Sequence, residues 1–284
     1  MMTDATDSLL TDLLADETAL RDLLAFRNNL HNSAALAQAE LRRKHDHLAE
    51  WSDRLAPGGS RELFYYLREF AGREDQARSQ AISHDVWMNG SPGRVLDVGC
   101  GIGQTVLALA RRWPAQYVAM DPNPIACALA RVATRASERV EVVTGSAEHL
   151  PFADKSFDRI HSRVVIQYTN SYRALAEMVR CLKPGGRLYL KVADWRYYSR
   201  RLWPVLAHLD GRGLFLNSFP LANGIICQWF GQPAGFKWKG ARFQEHFLGR
   251  GYLRSCERRL SLGLLYEDWS ARLPTPSYVW EKLP

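Results

Sequence analysis

Cysteine is scarce in this 284-residue chain, and what there is stands apart. Cys100, Cys127, Cys181, Cys227 and Cys256 are an odd number, with no C-x-x-C pair and no histidines at zinc spacing. That excludes a disulfide-stapled scaffold and a Cys/His metal site, and predicts reduced, mostly buried thiols. A basic start followed by an apolar run is also missing. Residues 1–24 instead hold six acidic residues against Arg21 alone, a net −5, which leaves +12 on the remainder of a chain whose total is +7. This start is the opposite of a secretory signal, so a cytoplasmic location is expected. Long charge-free runs are absent apart from residues 213–236, and there Asn217, Ser218, Pro220, Asn223, Gly224, Gln228, Gln232 and Pro233 supply groups that lipid cannot satisfy. No membrane span is expected.

Repeats and low-complexity segments are lacking too, and 46% hydrophobic with 24% charged residues is ordinary globular composition. At this length one large domain, or one with an attached subdomain, is expected. The first 90 residues carry helical periods: a leucine face from Leu9 to Leu24, a stretch from Ala34 to Leu55 stopped by Pro57-Gly58-Gly59, and a third helix with Leu63, Phe64, Tyr66, Leu67 and Phe70. From residue 91 short apolar runs alternate with helical periods. Strands are predicted over 94–98, 117–120, 140–143, 157–161 and 187–192, and helices over 104–113, 124–135 and 171–182. The alternation breaks over 195–240. It resumes with a helix near 242–249 and strands near 254–260 and 278–282. Seven strands in a doubly wound, mostly parallel α/β sheet follow. Four regions are drawn: a helical cap (1–90), a ligand-binding core (91–194), an aromatic insert (195–240) and a segment completing the sheet (241–284).

The chemistry concentrates at Val95-Leu96-Asp97-Val98-Gly99-Cys100-Gly101-Ile102-Gly103, a strand entering a glycine turn at the start of a helix. Glycines allow positive φ and close approach of a ligand, and the helix start offers free N–H groups. A dinucleotide fingerprint needs G-x-G-x-x-G, but its third glycine position holds Gln104. Asp97 would sit poorly beside a pyrophosphate and well beside an ammonium group. Asp121 closes the second strand, where a carboxylate can accept both hydroxyls of a ribose. The ligand implied carries an amine, a carboxylate and a ribose.

VLDVGCGIG at 95–103, YVAMDPNP at 117–124, GSAEHLPFADKSFDRIHS at 145–162 and LAEMVRCLKPGGRLYL at 175–190 resemble, in that order, the class I S-adenosylmethionine-dependent methyltransferases of small-molecule type. The resemblance covers about residues 93–194 and implies a Rossmann-like fold with S-adenosyl-L-methionine as cofactor and S-adenosyl-L-homocysteine as product. It implies that Gly99, Cys100, Gly101 and Gly103 lie under the methionyl part with Asp97 near its amine. Asp121 would hold the ribose, Pro122 would lie against the adenine, and Ser146, Ala147 and Glu148 would line the adenine edge. Ser146 stands where relatives often carry Asp. Ser162 and Arg163 would follow the fourth strand with contacts to cofactor and acceptor.

On the acceptor side the family folds flanking segments over the cofactor, which brings forward Tyr65, Tyr66, Trp195, Tyr198 and Trp229 as substrate contacts and suggests an apolar or aromatic acceptor. Arginines 196, 200 and 201, with Lys237, Lys239 and Arg242, and Arg250, Arg254, Arg258 and Arg259, raise the question of an anionic group on it. His161, at a strand end, and His208, in the insert, are weak candidates for a base, and no base is assigned. The expectation is methyl transfer to a small-molecule N, O or C nucleophile, in natural-product biosynthesis. Peptide or RNA methylation, a non-catalytic binding subunit and a nicotinamide oxidoreductase are the alternatives. Nucleic acid and membrane partners are not favoured, no metal is expected, and a homo-oligomer stays open.

Overall fold

The computed structural model describes residues 85–207, 211–238, 241–269 and 274–284. Tyr65, Tyr66 and His208 lie outside them, as does nearly all of the expected helical cap.

In chain order the elements are α1 (Asp85–Met88), β1 (Arg94–Val98), α2 (Gln104–Arg112), β2 (Gln116–Asp121), α3 (Pro124–Thr134), β3 (Val140–Thr144), β4 (Phe157–Arg163), α4 (Ser171–Cys181) and β5 (Leu182–Lys191). There follow α5 (Trp195–Ala207), α6 (Gly211–Phe230), β6 (Phe236–Trp238), β7 (Ala241–Phe243), α7 (Arg250–Arg259), β8 (Leu262–Asp268) and β9 (Ser277–Lys282). Seven strands form one sheet in the order β3-β2-β1-β4-β5-β9-β8, and β6 pairs with β7 separately. The pairs from β3 to β5 are parallel, while β9 runs antiparallel to both its neighbours. Parallel strands buried on both faces require near-continuous apolar runs, and Val95-Leu96 and Val118-Ala119-Met120 supply them.

The pleat divides the core. Leu96 and Val98 of β1 face a cluster with Met178, Leu253 and Trp280, whereas Val95 faces one with Trp87, Leu109, Tyr117 and Tyr189. α3 and α4 are capped by asparagine side chains: Asn123 Oδ1 accepts the Ile125 N–H, and Asn170 Oδ1 the Arg173 N–H. Between Leu182 and Arg187 the chain bulges out of the β4–β5 pairing, with Gly185 at φ 72. This is the turn that Lys183-Pro184-Gly185-Gly186 predicts.

Two expectations near the C-terminus are corrected. Residues 242–249 are not a helix: β6 and β7 form a small hairpin with Phe236 stacked on Phe243, and 244–249 run irregularly. Residues 254–260 are not a strand but the body of α7. Tyr252, Leu253 and Cys256 bury one helical face while Arg258 and Arg259 occupy the last turn, and the strand follows as β8. The uncharged run is mostly α6, with Pro220 inside it. Among the described residues no helix is long and apolar enough to cross a membrane.

Candidate active site

The C-terminal ends of β1, β2 and β4 meet at one edge of the sheet. Asp97 and His161 are cross-strand partners there, both buried, with Asp97 Oδ1 2.7 Å from His161 Nδ1. Asp97 Oδ2 has no hydrogen-bond partner among the described residues. His161 stacks on Tyr189 at 4.9 Å between ring centroids and also meets Trp87. It is part of the core beneath the edge, a setting for a residue that fixes Asp97 rather than one that reaches an acceptor.

Beyond Val98 the glycine loop folds back on β2. The N–H groups of Gly99 and Cys100 both donate to Met120 O, at 2.7 and 2.9 Å. Gly99, Gly101 and Gly103 all have positive φ, and Gly103 leads into α2. A Cβ on Gly99 would lie 2.2 Å from Val165 Cγ2, whereas one on Gly101 would meet nothing within 4 Å among the described residues. The loop is therefore packed at its first glycine and open at its second. Asp121 holds it: Oδ2 accepts the Gly101 N–H and Oδ1 the Asn123 N–H, each at 2.9 Å. Burial raises the Asp121 carboxyl above its ordinary range, and these two N–H groups pull it back. The Cys100 thiol, pushed well up by burial and then by Asp97 and Asp121, is not a nucleophile at neutral pH.

Pro122, just after β2, and Ser146, just after β3, are exposed, while Ala147 is buried. Glu148 does not stand free: its Oε1 accepts the Asn170 N–H at 2.9 Å and Gln244 Nε2 at 3.3 Å. After β4 comes a strained turn. Val164, a β-branched residue, sits at φ 56 with its N–H on Lys191 O, and Val165 packs on Gly99. Ser162, still within β4, and Gln167, after the turn, are fully buried, and neither Ser162 Oγ nor either amide atom of Gln167 has a partner among the described residues. Sequence reading missed Gln167; nothing in Val165-Ile166-Gln167-Tyr168 signals a buried amide.

Of the expected acceptor residues, Arg163, Trp195 and Trp229 are exposed. Tyr198 is not: it is buried, and its hydroxyl donates to Glu245 Oε1 at 3.0 Å. Glu245, unmarked in the sequence, is pushed up by burial and held back by Tyr198 and Tyr168. The basic clusters are partly neutralised. Arg196 pairs with buried Asp194 at 2.6 Å, and Arg250 and Arg254 share Glu267.

His246 is buried between Gln244 O (2.9 Å from Nδ1) and Ser171 Oγ (3.1 Å from Nε2), an arrangement that a neutral ring with Nδ1–H satisfies. Burial pushes its pKa down to about 4, below the unfolded value near 6.5. The unfolded chain therefore binds the proton more readily. This stability is fully present above pH 6.5 and is lost as pH falls towards 4, up to roughly 3 kcal/mol. Urea unfolding at pH 7 and pH 4.5 should show that loss, and His246→Gln should flatten it.

Residues 96–190 match the family described as "Methyltransferase domain". This third of the chain is a methyltransferase domain similar to those of the class I S-adenosylmethionine-dependent methyltransferases. The cofactor of that family is S-adenosyl-L-methionine. Similar to this chain are methyltransferase GfsG of Streptomyces halstedii, 40% identical over 99 residues, and a malonyl-[acyl-carrier protein] O-methyltransferase of Dechloromonas aromatica, 41% identical over 101 residues. These alignments cover 34% and 35% of this chain and 36% of each relative, so the match spans about a third of either protein. A solved S-adenosylmethionine-dependent methyltransferase of Thermotoga maritima superposes over 78% of this chain and 97% of its own with a TM-score of 0.51, at 18% identity. That likeness shows the fold.

Proposed function

We propose that this methyltransferase moves a methyl group from S-adenosylmethionine to a small-molecule acceptor, an N, O or C nucleophile on an apolar or aromatic body, in a biosynthetic pathway. The observation that carries the reading is the space that the described residues leave open over Gly101, beside the Asp121 carboxylate. A side chain placed at Gly101 would meet no described atom within 4 Å, which leaves the loop open to a ligand on that side. Asp121 spends one lone pair of each oxygen on backbone N–H groups, so both oxygens retain acceptor capacity for a ribose. The unpartnered Asp97 Oδ2, buried beside the loop, suits an ammonium group and would be costly to leave unmatched.

On this reading Gly99, Gly101 and Gly103 cradle the methionyl part and Pro122, Ser146 and Ala147 border the adenine. Glu148 acts from behind by tying Asn170 to Gln244. Ser162, Arg163 and Gln167 face the acceptor side, with Trp195 and Trp229 above. S-adenosylmethionine, when bound, supplies a methyl group already activated on a sulfonium. The chain's own contribution is then alignment and exclusion of water, and alignment alone can contribute roughly 7–11 kcal/mol. His161, locked between Asp97 and Tyr189, serves as a positioning residue. The relatives named above, one of them acting on a malonyl-carrier substrate by its name, favour small acceptors over RNA. Calorimetry should find S-adenosylhomocysteine binding at micromolar affinity or better, and labelled cofactor should add one methyl mass to the true acceptor. Absence of cofactor binding sinks the proposal.

A further inference from the structure

Arg163 and Lys191 are direct cross-strand partners at the C-terminal ends of β4 and β5. The row beneath them on the sheet is Asp97–His161–Tyr189. Because side chains alternate with period 2, Arg163 and Lys191 share the face of that row and lie one step, about 6.6 Å, further towards the site edge. β1 has ended at this level, and the glycine loop begins there.

Two cations directly opposite each other in a sheet destabilise it. Neither makes an ion pair among the described residues. Arg163 is exposed, but Lys191 is only partly so, and burial first and Arg163 second push its pKa down. Among the described residues the one carboxylate acting on it is Asp268, on β8, reached through Ser277 two strands away, roughly 9–10 Å in the hydrogen-bonding direction. A solvated surface pair would not press an ammonium group into the sheet beside a guanidinium. An arrangement that is unfavourable when empty becomes favourable when an anion sits between the two groups.

We propose that Arg163 and Lys191 form an anion subsite that receives a carboxylate or phosphate of the methyl acceptor. This rests on the reading above that the β4 edge is the acceptor side. It narrows the acceptor to one carrying such a group near the reacting atom, and it moves the anion contact away from Arg196, which Asp194 already neutralises.

The test uses the full chain saturated with S-adenosylhomocysteine and three probes at constant ionic strength: 3-phenylpropionate, phenyl phosphate and neutral 3-phenylpropan-1-ol. Wild type is expected to bind at least one anion more tightly than the alcohol, and the tighter anion identifies the group. K191M and R163Q should each weaken that binding about ten- to a hundredfold, as for loss of a charge-assisted hydrogen bond, and leave alcohol binding unchanged. K191M should also unfold at a higher temperature than wild type when no probe is present, because it removes the like-charge contact. K191Q provides the same comparison should K191M not fold. No anion preference in wild type, or equal anion binding in wild type and variants, overturns the proposal. S-adenosylhomocysteine binding, measured first on every variant, separates this failure from failure of the cofactor reading.

Discussion

Asp121→Ala is expected to weaken S-adenosylhomocysteine binding at least about a hundredfold while the protein stays folded. Two losses combine. The ribose hydroxyls lose a charged acceptor, and hydrogen bonds to charged groups contribute about 1.5–3 kcal/mol each. The Gly101 and Asn123 N–H groups lose theirs as well, so the loop is no longer tied to the end of β2 at its open glycine. The effect on folding is smaller, because the buried carboxylate leaves behind a space in which water can reach the two N–H groups. Asp121→Asn discriminates between the two roles. Its carbonyl can accept one N–H, but its amide NH2 would face the other, so it should hold the loop partly and the ribose poorly. Calorimetry on both variants, with urea unfolding as the control, checks this. Near-wild-type binding by Asp121→Ala would place the cofactor elsewhere.

The sequence alone located that carboxylate, and the reason is physical. β1 and β2 are buried on both faces, so Val95-Leu96 and Tyr117 to Met120 appear as apolar runs, and the residues closing these strands sit at the site edge by construction. The strand ends predicted at Val98, Met120 and His161 fall within two residues of those observed. What could not be read depends on pairing between distant segments. Arg163 and Lys191 are opposed only because Phe157 and Arg159 lie against Leu182 and Arg187 across a bulge. Tyr198 turns inward because Glu245, 47 residues away, accepts its hydroxyl. Residues 250–260 misled for a different reason: four arginines spaced through Tyr252, Leu253 and Cys256 mask the helical period, and only the packing of those three into the core resolves it.

Gly99→Ala should cost the most stability of any change at the site, about 2–5 kcal/mol, read from the urea midpoint at unchanged slope. Its φ of 73 is a left-handed conformation that costs an L-residue roughly 1–2 kcal/mol. The new methyl would also lie 2.2 Å from Val165 Cγ2 and 2.8 Å from Cγ1, and forced overpacking typically costs about 1–3 kcal/mol more. Val165 cannot retreat easily, since Val164 before it is already at φ 56 and bonded to Lys191 O. Shortening that side chain should help: Gly99→Ala with Val165→Ala should recover the overlap term and leave the φ term. Gly101→Ala reverses the pattern. Its φ of 54 carries the same conformational cost, but its methyl meets no described atom and would instead occupy the space assigned to the cofactor. It should unfold only about 1–2 kcal/mol more easily than wild type and yet bind S-adenosylhomocysteine far more weakly. If Gly99→Ala proved as stable as wild type, Val165 would not be the wall against which the loop is built. If Gly101→Ala bound cofactor normally, the open side of the loop would not be the side that the ligand uses.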